Sequence, residues 1–367
     1  MRRWIAAGIA AVLVAVPSGT ATAETRTDGA LRESLEALVA SGATGVVVRV
    51  DDGKRVRTLG RGVTTVEPPR PIGTSGGFRI ASVTKSFVAT VVLQLVDERK
   101  VRLTDSLERW LPGAVPGGDK ISVRQLLNHT SGVFNYTDDE QWRETALSNP
   151  TRSWSARELV AVAAANPPVF PPGARWSYSN TNYILAGMIA EKATGRALPR
   201  LIADRITGPL GLRETYLATD ARVRPGHIHG YLPNPDGTYT DTTSWSPTMA
   251  GAAGAVVSTP QEVARFYSVL LSGGLLTQAR LNDMLTTVEV PERHGGYGLG
   301  IYYTDTPCGR VWGHAGDFPG YHTIAYQDRA GRRSATLMVA TDLDQETGSL
   351  FDKTVNTMVC QMLGKQG

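Results

Sequence analysis

Phe78-Arg79-Ile80-Ala81-Ser82-Val83-Thr84-Lys85 runs into an apolar stretch from Val88 to Val96. The opening triplet reads as a short strand, and the apolar stretch as a helix that needs burial on most of its faces. The junction is therefore expected inside a core rather than on a solvated surface. Ser82 and Lys85 stand one helical turn apart. Residues i and i+3 share a helix face, so the amine can reach the hydroxyl and take its proton. Ser82 falls in the first turn, where backbone N–H groups lack intrahelical partners and the positive dipole end favours a developing oxyanion. A Ser-x-x-Lys match alone also fits an ordinary capped helix, so the rest of the chain has to decide.

Upstream, Leu31, Leu35, Leu38 and Val39 mark one face of a helix over 29–41. Val46 to Val50 and Lys54 to Leu59 form a hairpin about Asp51-Asp52-Gly53. From about 100 to 245 the pattern becomes helices joined by Pro- and Gly-rich connections, such as Leu111-Pro112-Gly113 and Asn166 to Gly173. Strand signals return at Tyr297 to Tyr303, Arg310 to Gly313, Tyr321 to Tyr326 and Ser334 to Ala340, before a closing helix over 346–363. This order implies one sheet whose strands come from both chain ends, with a mainly helical insert. The expected division is 24–98 with 246–367 as an α/β subdomain and 99–245 as the helical one, with a cleft between them. There is no internal repeat or sustained heptad pattern.

Arg2-Arg3, the apolar run Trp4 to Val16 and the small residues Ala21-Thr22-Ala23 read as a secretory signal over 1–23. The run is too short to span a bilayer. A secreted protein, extracellular or periplasmic, is expected to begin near Glu24, with no stable membrane anchor and as a monomer. Losing Arg2 and Arg3 with the signal takes the formal charge from +4 to +2. The 38 basic residues are spread among 34 acidic ones without a basic run, which excludes a nucleic-acid partner. The two cysteines, Cys308 and Cys360, either remain free or form one disulfide, and export favours the bridge. No Cys/His cluster has metal-ligand spacing, so neither metal nor cofactor is expected.

Two further elements bear on Ser82. Tyr178-Ser179-Asn180 follows the proline-rich stretch, which would hold both outer side chains inward. The phenol can shuttle a proton and the amide can meet Lys85 and a substrate carbonyl, although an aromatic core residue beside a helix N-cap is the plain alternative. His314-Ala315-Gly316 follows the strand at 310–313, with Gly316 allowing close backbone approach. His294-Gly295-Gly296 has the same spacing but reads as a turn; His129 reads as a turn residue, and His227 and His229 as loop or packed strand. Gly73-Thr74-Ser75-Gly76-Gly77 satisfies Gly-x-Ser-x-Gly, yet it lacks the strand before and helix after that a nucleophile elbow needs, and reads as a loop.

Taken in order, Ser82-x-x-Lys85, Tyr178-x-Asn180 and His314-x-Gly316 resemble the signature elements of penicillin-binding proteins and serine β-lactamases. The secreted D-alanyl-D-alanine carboxypeptidases and class C β-lactamases are the most similar subgroups. Leu126 to Gly132, Tyr178 to Tyr183, Ala253 to Val256 and Tyr297 to Gly300 extend the resemblance across the chain. It implies an α/β, β-lactamase-like fold, with an antiparallel sheet flanked by the N- and C-terminal helices. It also places both cysteines where those enzymes have a bridge.

The resemblance implies Ser82 as nucleophile, Lys85 and Tyr178 as the proton-transfer pair, Asn180 on the substrate amide, and His314 in place of a lysine. The oxyanion hole would be the N–H groups of Ser82 and Asp317. Trp245, Trp142, Tyr302, Ala315 and Gly316 would line the cleft. The implied activity is D-Ala-D-Ala carboxypeptidase, acting on a small peptide and acylated by β-lactams. Two departures open other outcomes. Ala315 lacks the hydroxyl that helps bind a carboxylate, and Ile301 to Pro307 carries no basic residue. An endopeptidase, amidase, esterase or class C-like β-lactamase fits as well, and so does a silent binder that is acylated without turnover.

Overall fold

The structure is a computed structural model that describes residues 19–290 and 295–365. Most of the expected signal lies outside these residues, and its end falls within the helix Gly19–Ala40. All pairings in the main sheet are antiparallel. Its strands are β1 (Gly45–Asp51), β2 (Val56–Thr65), β3 (Arg70–Pro71), β4 (Val288–Val290), β5 (Gly295–Tyr297), β6 (Tyr302–Thr306), β7 (Gly309–Phe318), β8 (Tyr321–Gln327) and β9 (Ser334–Val339). Their spatial order is β3-β2-β1-β9-β8-β7-β6-β5-β4, so β1, from near the start, is joined to β9, from near the end. The β-lactamase-like antiparallel sheet is thus present, and the register Val46↔Val339 to Asp51↔Ser334 closes the two chain ends on each other.

The sheet separates two apolar clusters. On one side Leu31, Leu35 and Leu38 of the first helix meet Met358, Val359 and Met362 of the last helix, Gln345–Met362, over Val48 and Leu337. On the other side lies the larger core, around the helix Thr84–Asp97. That helix is buried nearly throughout, because its apolar residues recur on every face. Phe87 stacks on Phe266 of the helix Pro260–Leu271, with ring centroids 3.7 Å apart.

Two expectations change. His314-Ala315-Gly316 does not follow a strand but lies within β7, which stays paired with β8 through Phe318↔Tyr321. Gly295 and Gly296, expected in a turn, are in β5; His294 lies outside the described residues. A Cβ on Gly295 would stand 2.1 Å from the Tyr303 carbonyl oxygen, so glycine there permits a close ladder.

Cys308, at the turn between β6 and β7, is bridged to Cys360 of the last helix, with Cα atoms 5.1 Å apart. The bridge closes a sequence separation of 52 residues, which restricts the unfolded chain. Replacing both cysteines by serine is expected to lower unfolding free energy by about 2–4 kcal/mol, measured by urea denaturation against the oxidised protein.

Candidate active site

Ser82 lies in a single 3-10 turn, Ala81–Val83, that opens the buried helix. Ala81 just before it has φ 45°, an uncommon conformation for a residue with a Cβ, held here by its surroundings. Ile80 N–H donates to Val256 O at 3.0 Å, and Val256 N–H donates to Thr84 Oγ1 at 2.9 Å. These bonds fix the turn on both sides of the hydroxyl.

The Lys85 side chain is fully buried. Its Nζ is 3.0 Å from Ser82 Oγ, 2.8 Å from Asn180 Oδ1 and 2.8 Å from Ala253 O. Burial pushes its pKa well below the ordinary 10.5, while the Asp317 charge pulls the other way and is outweighed. A neutral amine has two hydrogens and one lone pair. Asn180 Oδ1 and Ala253 O can only accept, so they take the hydrogens and the lone pair is left for the Ser82 O–H. In its neutral form the amine is thereby placed to act as a general base for the hydroxyl.

Asn180 opens the helix Asn180–Thr194. Its Nδ2 donates to Thr137 Oγ1 at 3.3 Å, and its backbone N–H donates to Asn135 Oδ1 at 2.9 Å. The Tyr178 ring centroid is 4.8 Å from Lys85 Nζ, so this half-buried phenol borders the amine. His314 is buried, with Nε2 2.9 Å from the Tyr297 hydroxyl and its ring centroid 6.5 Å from that of Tyr178. Lys85 contacts both Ser82 and Asn180, and Tyr178 and His314 lie beside this group.

The pairing of β6 with β7 stops at Tyr302↔Gly313, so the rest of β7 offers an open edge to the Ile80–Val83 segment. At Gly316 a Cβ would stand 2.3 Å from Ile80 O and 2.8 Å from Ser82 N. Glycine is what lets Asp317 follow beside the nucleophile. A cavity of about 300 Å³ opens from Ser82, walled by Tyr136, Trp142, Leu147, Met249, Asp317 and Phe318, with Arg143 also in its lining. Trp142 is among the described residues lining this cavity, and Trp245 is not. It is buried, and its carbonyl accepts from Arg79 Nη2 at 2.9 Å. Tyr302 is buried in the sheet's second core, 3.0 Å from the Tyr326 hydroxyl, and Ala315 packs against the same core.

Sequence reasoning missed three supports. His129, expected only in a turn, is fully buried at φ 62°, and its Nδ1 accepts from Ser179 N–H at 3.2 Å, which braces Tyr178-Ser179-Asn180. Arg79, also buried, ties Thr243 O and Trp245 O to the strand before the nucleophile. His322 bridges Asp317 and Asp342. Pro319-Gly320 between two β patterns was the available signal for this last group, because a two-residue hairpin pairs Phe318↔Tyr321 and Asp317↔His322.

The fold and this site define a penicillin-binding-protein-like serine hydrolase. Residues 31–352 match the family described as Beta-lactamase, and the chain belongs to it. It is 27% identical over 321 residues to penicillin-binding protein 4* of Bacillus subtilis (strain 168), covering 83% of this chain and 69% of that one. It is 28% identical over 327 residues to a D-aminopeptidase of Cereibacter sphaeroides (strain KD131 / KCTC 12085), covering 84% of this chain but only 59% of the relative. A solved D-stereospecific amidohydrolase from Streptomyces sp. is 38% identical and superposes with a TM-score of 0.82, over 89% of this chain and 98% of that one.

Two outcomes are expected. Gly316→Ala forces β7 away from Ile80 and costs about 1–3 kcal/mol of stability, read by urea denaturation, together with a loss of Ser82 acylation, read by intact mass. The acylation rate rises with pH as Lys85 loses its proton, at a pH well below 10.5, and Lys85→Arg, which stays charged, removes it. Stability runs in the same direction. The unfolded chain takes up the lysine proton first, so stability falls as pH drops from 10.5 towards the depressed folded value.

Proposed function

We propose that the protein is an exported serine amidohydrolase that cleaves the amide bond on the carbonyl side of an apolar D-amino acid, through an acyl-enzyme at Ser82. The observation that carries this reading is the cavity beside Ser82, whose walls are mainly apolar side chains, with Arg143 the one basic residue and Asp317 the one acid among the described lining residues. In the proposed reaction, Lys85 takes the Ser82 proton, and Oγ attacks the carbonyl. The oxyanion is held by the N–H groups of Ser82 and Asp317. The proton passes through Tyr178 to the leaving amine, and water then releases the acid by the same route. The D-stereospecific amidohydrolase from Streptomyces sp. supports the amide and the D configuration.

D-Ala-D-Ala carboxypeptidase is the second reading. One observation favours it: Arg143, exposed in the cavity lining, can meet a free carboxylate. Ala315 and the absence of a basic residue from Ile301 to Pro307 speak against it. A class C-like β-lactamase and a silent binder differ from both in the fate of the acyl-enzyme. For export, the support is the Arg2 to Ala23 pattern together with the Cys308–Cys360 bridge, which persists in oxidising compartments.

The deciding experiment compares D-leucinamide, L-leucinamide and a diacyl-Lys-D-Ala-D-Ala peptide, with Ser82→Ala as control and intact mass after penicillin in parallel. Hydrolysis of the D-amide alone, abolished in Ser82→Ala, is expected. D-alanine release from the peptide without amide turnover would move the assignment to carboxypeptidase. Rapid penicillin ring opening would indicate a β-lactamase, and a lasting adduct without hydrolysis a binder.

A further inference from the structure

One charged group at the cleft has no part in the hydrolytic steps above. The Asp317 side chain is 76% exposed and lines the cavity that opens from Ser82, where it is the one acid among the described lining residues. It is nonetheless held in place. Its Oδ1 is 2.7 Å from His322 Nδ1, and His322 Nε2 is 3.3 Å from Asp342 Oδ1, which also accepts Gly320 N–H at 2.8 Å. Burial opposes a charge on His322, but the hydrogen bonds to Asp317 and Asp342 outweigh it and push its pKa up to about 9. At neutral pH the ring is an imidazolium that donates through both nitrogens. Two carboxylates and one imidazolium leave a net negative charge, with Asp317 the member facing the cavity.

The surroundings fix where that charge acts. Gly316 brings β7 against Ile80 O and Ser82 N, so Asp317 sits beside the nucleophile. A substrate carbonyl seated at Ser82 carries its α-carbon substituents to this wall. Burial holds Lys85 towards its neutral form, which weakens it as a competing cation, and Arg143 in the lining is exposed to solvent. An anion in this position attracts a cation on the α carbon and repels a carboxylate.

We propose that Asp317 reads the free α-ammonium next to the scissile carbonyl, with His322 and Asp342 as positioning residues that hold its carboxylate at the cavity wall. The proposal rests on the acyl-enzyme reading above and narrows its substrates to D-aminoacyl amides with an unblocked amine.

The test is the ratio of kcat/KM for D-leucinamide to that for N-acetyl-D-leucinamide, measured on one preparation so that the folded fraction cancels. Intact mass with p-nitrophenyl acetate reports separately whether Ser82 can be acylated. In the wild type the ratio is expected to be about tenfold or more and to fall as salt is raised. Asp317→Asn brings it close to one. His322→Gln, which can still donate to Asp317, retains more of it than His322→Ala. A wild-type ratio near or below one, or an unchanged ratio in Asp317→Asn, with acylation of Ser82 intact, overturns this proposal and leaves the hydrolase reading standing. No Ser82 adduct with any substrate in the wild type overturns both.

Discussion

A primary amine sealed from water beside a serine hydroxyl sets the terms for the rest of this molecule. Removing a charged ammonium from solvent is expensive, so Lys85 is held towards its neutral form. A neutral amine serves as a base only if its lone pair is aimed at the right hydroxyl. Asn180 Oδ1 and Ala253 O supply that aim by taking the two hydrogens, from positions 95 and 168 residues further along the chain. The helical block and the segment before β4 must both be in place before the chemistry exists. This is the physical reason for a site at the seam of the fold.

The supports around the amine follow the same logic of fixed backbone. The open edge of β7 accepts the Ile80–Val83 turn, because pairing with β6 has ended and Gly316 carries no side chain. On the opposite flank, His129 accepts the Ser179 N–H, and Ser131 Oγ donates to Asn182 Oδ1 at 2.6 Å. The Leu126 to Gly132 segment thereby fixes the entry of the helix that presents Asn180. Gly300 lies over the motif helix, its carbonyl accepting from Ser86 Oγ at 2.5 Å. Hydrogen bonds of this kind hold the surrounding segments in place before any charge develops, which is the condition for electrostatic preorganisation.

Machinery of this type is indifferent to what lies beyond the scissile bond; the cleft walls choose. Trp142, Leu147, Met249 and Phe318 offer apolar area, while Arg143 and Asp317 bring opposite charges to the same cavity. Buried apolar contact contributes about 25 cal/mol per Å² whatever the stereochemistry, so charge placement is a further means by which a cavity can separate molecules of similar size. The His322 bridge itself depends on pH. Its stabilising contribution is fully present below 6.5 and is lost as pH rises through about 9.

The sequence by itself determined the local pieces. Spacing placed Ser82 and Lys85 on one helix face, the apolar run from Val88 to Val96 required burial, and alternation located the hairpin and the late strands. The motif order carried the family and the antiparallel sheet. Tertiary structure alone decided the rest, because those features depend on contacts between distant segments. It set the register that joins β1 to β9, the extension of β7 through Phe318, and the roles of His129 and Arg79. It also put Trp142 rather than Trp245 or Tyr302 on the cavity wall. Periodicity says that an aromatic side chain faces inward. Whether it meets core or cavity depends on what the fold packs against it.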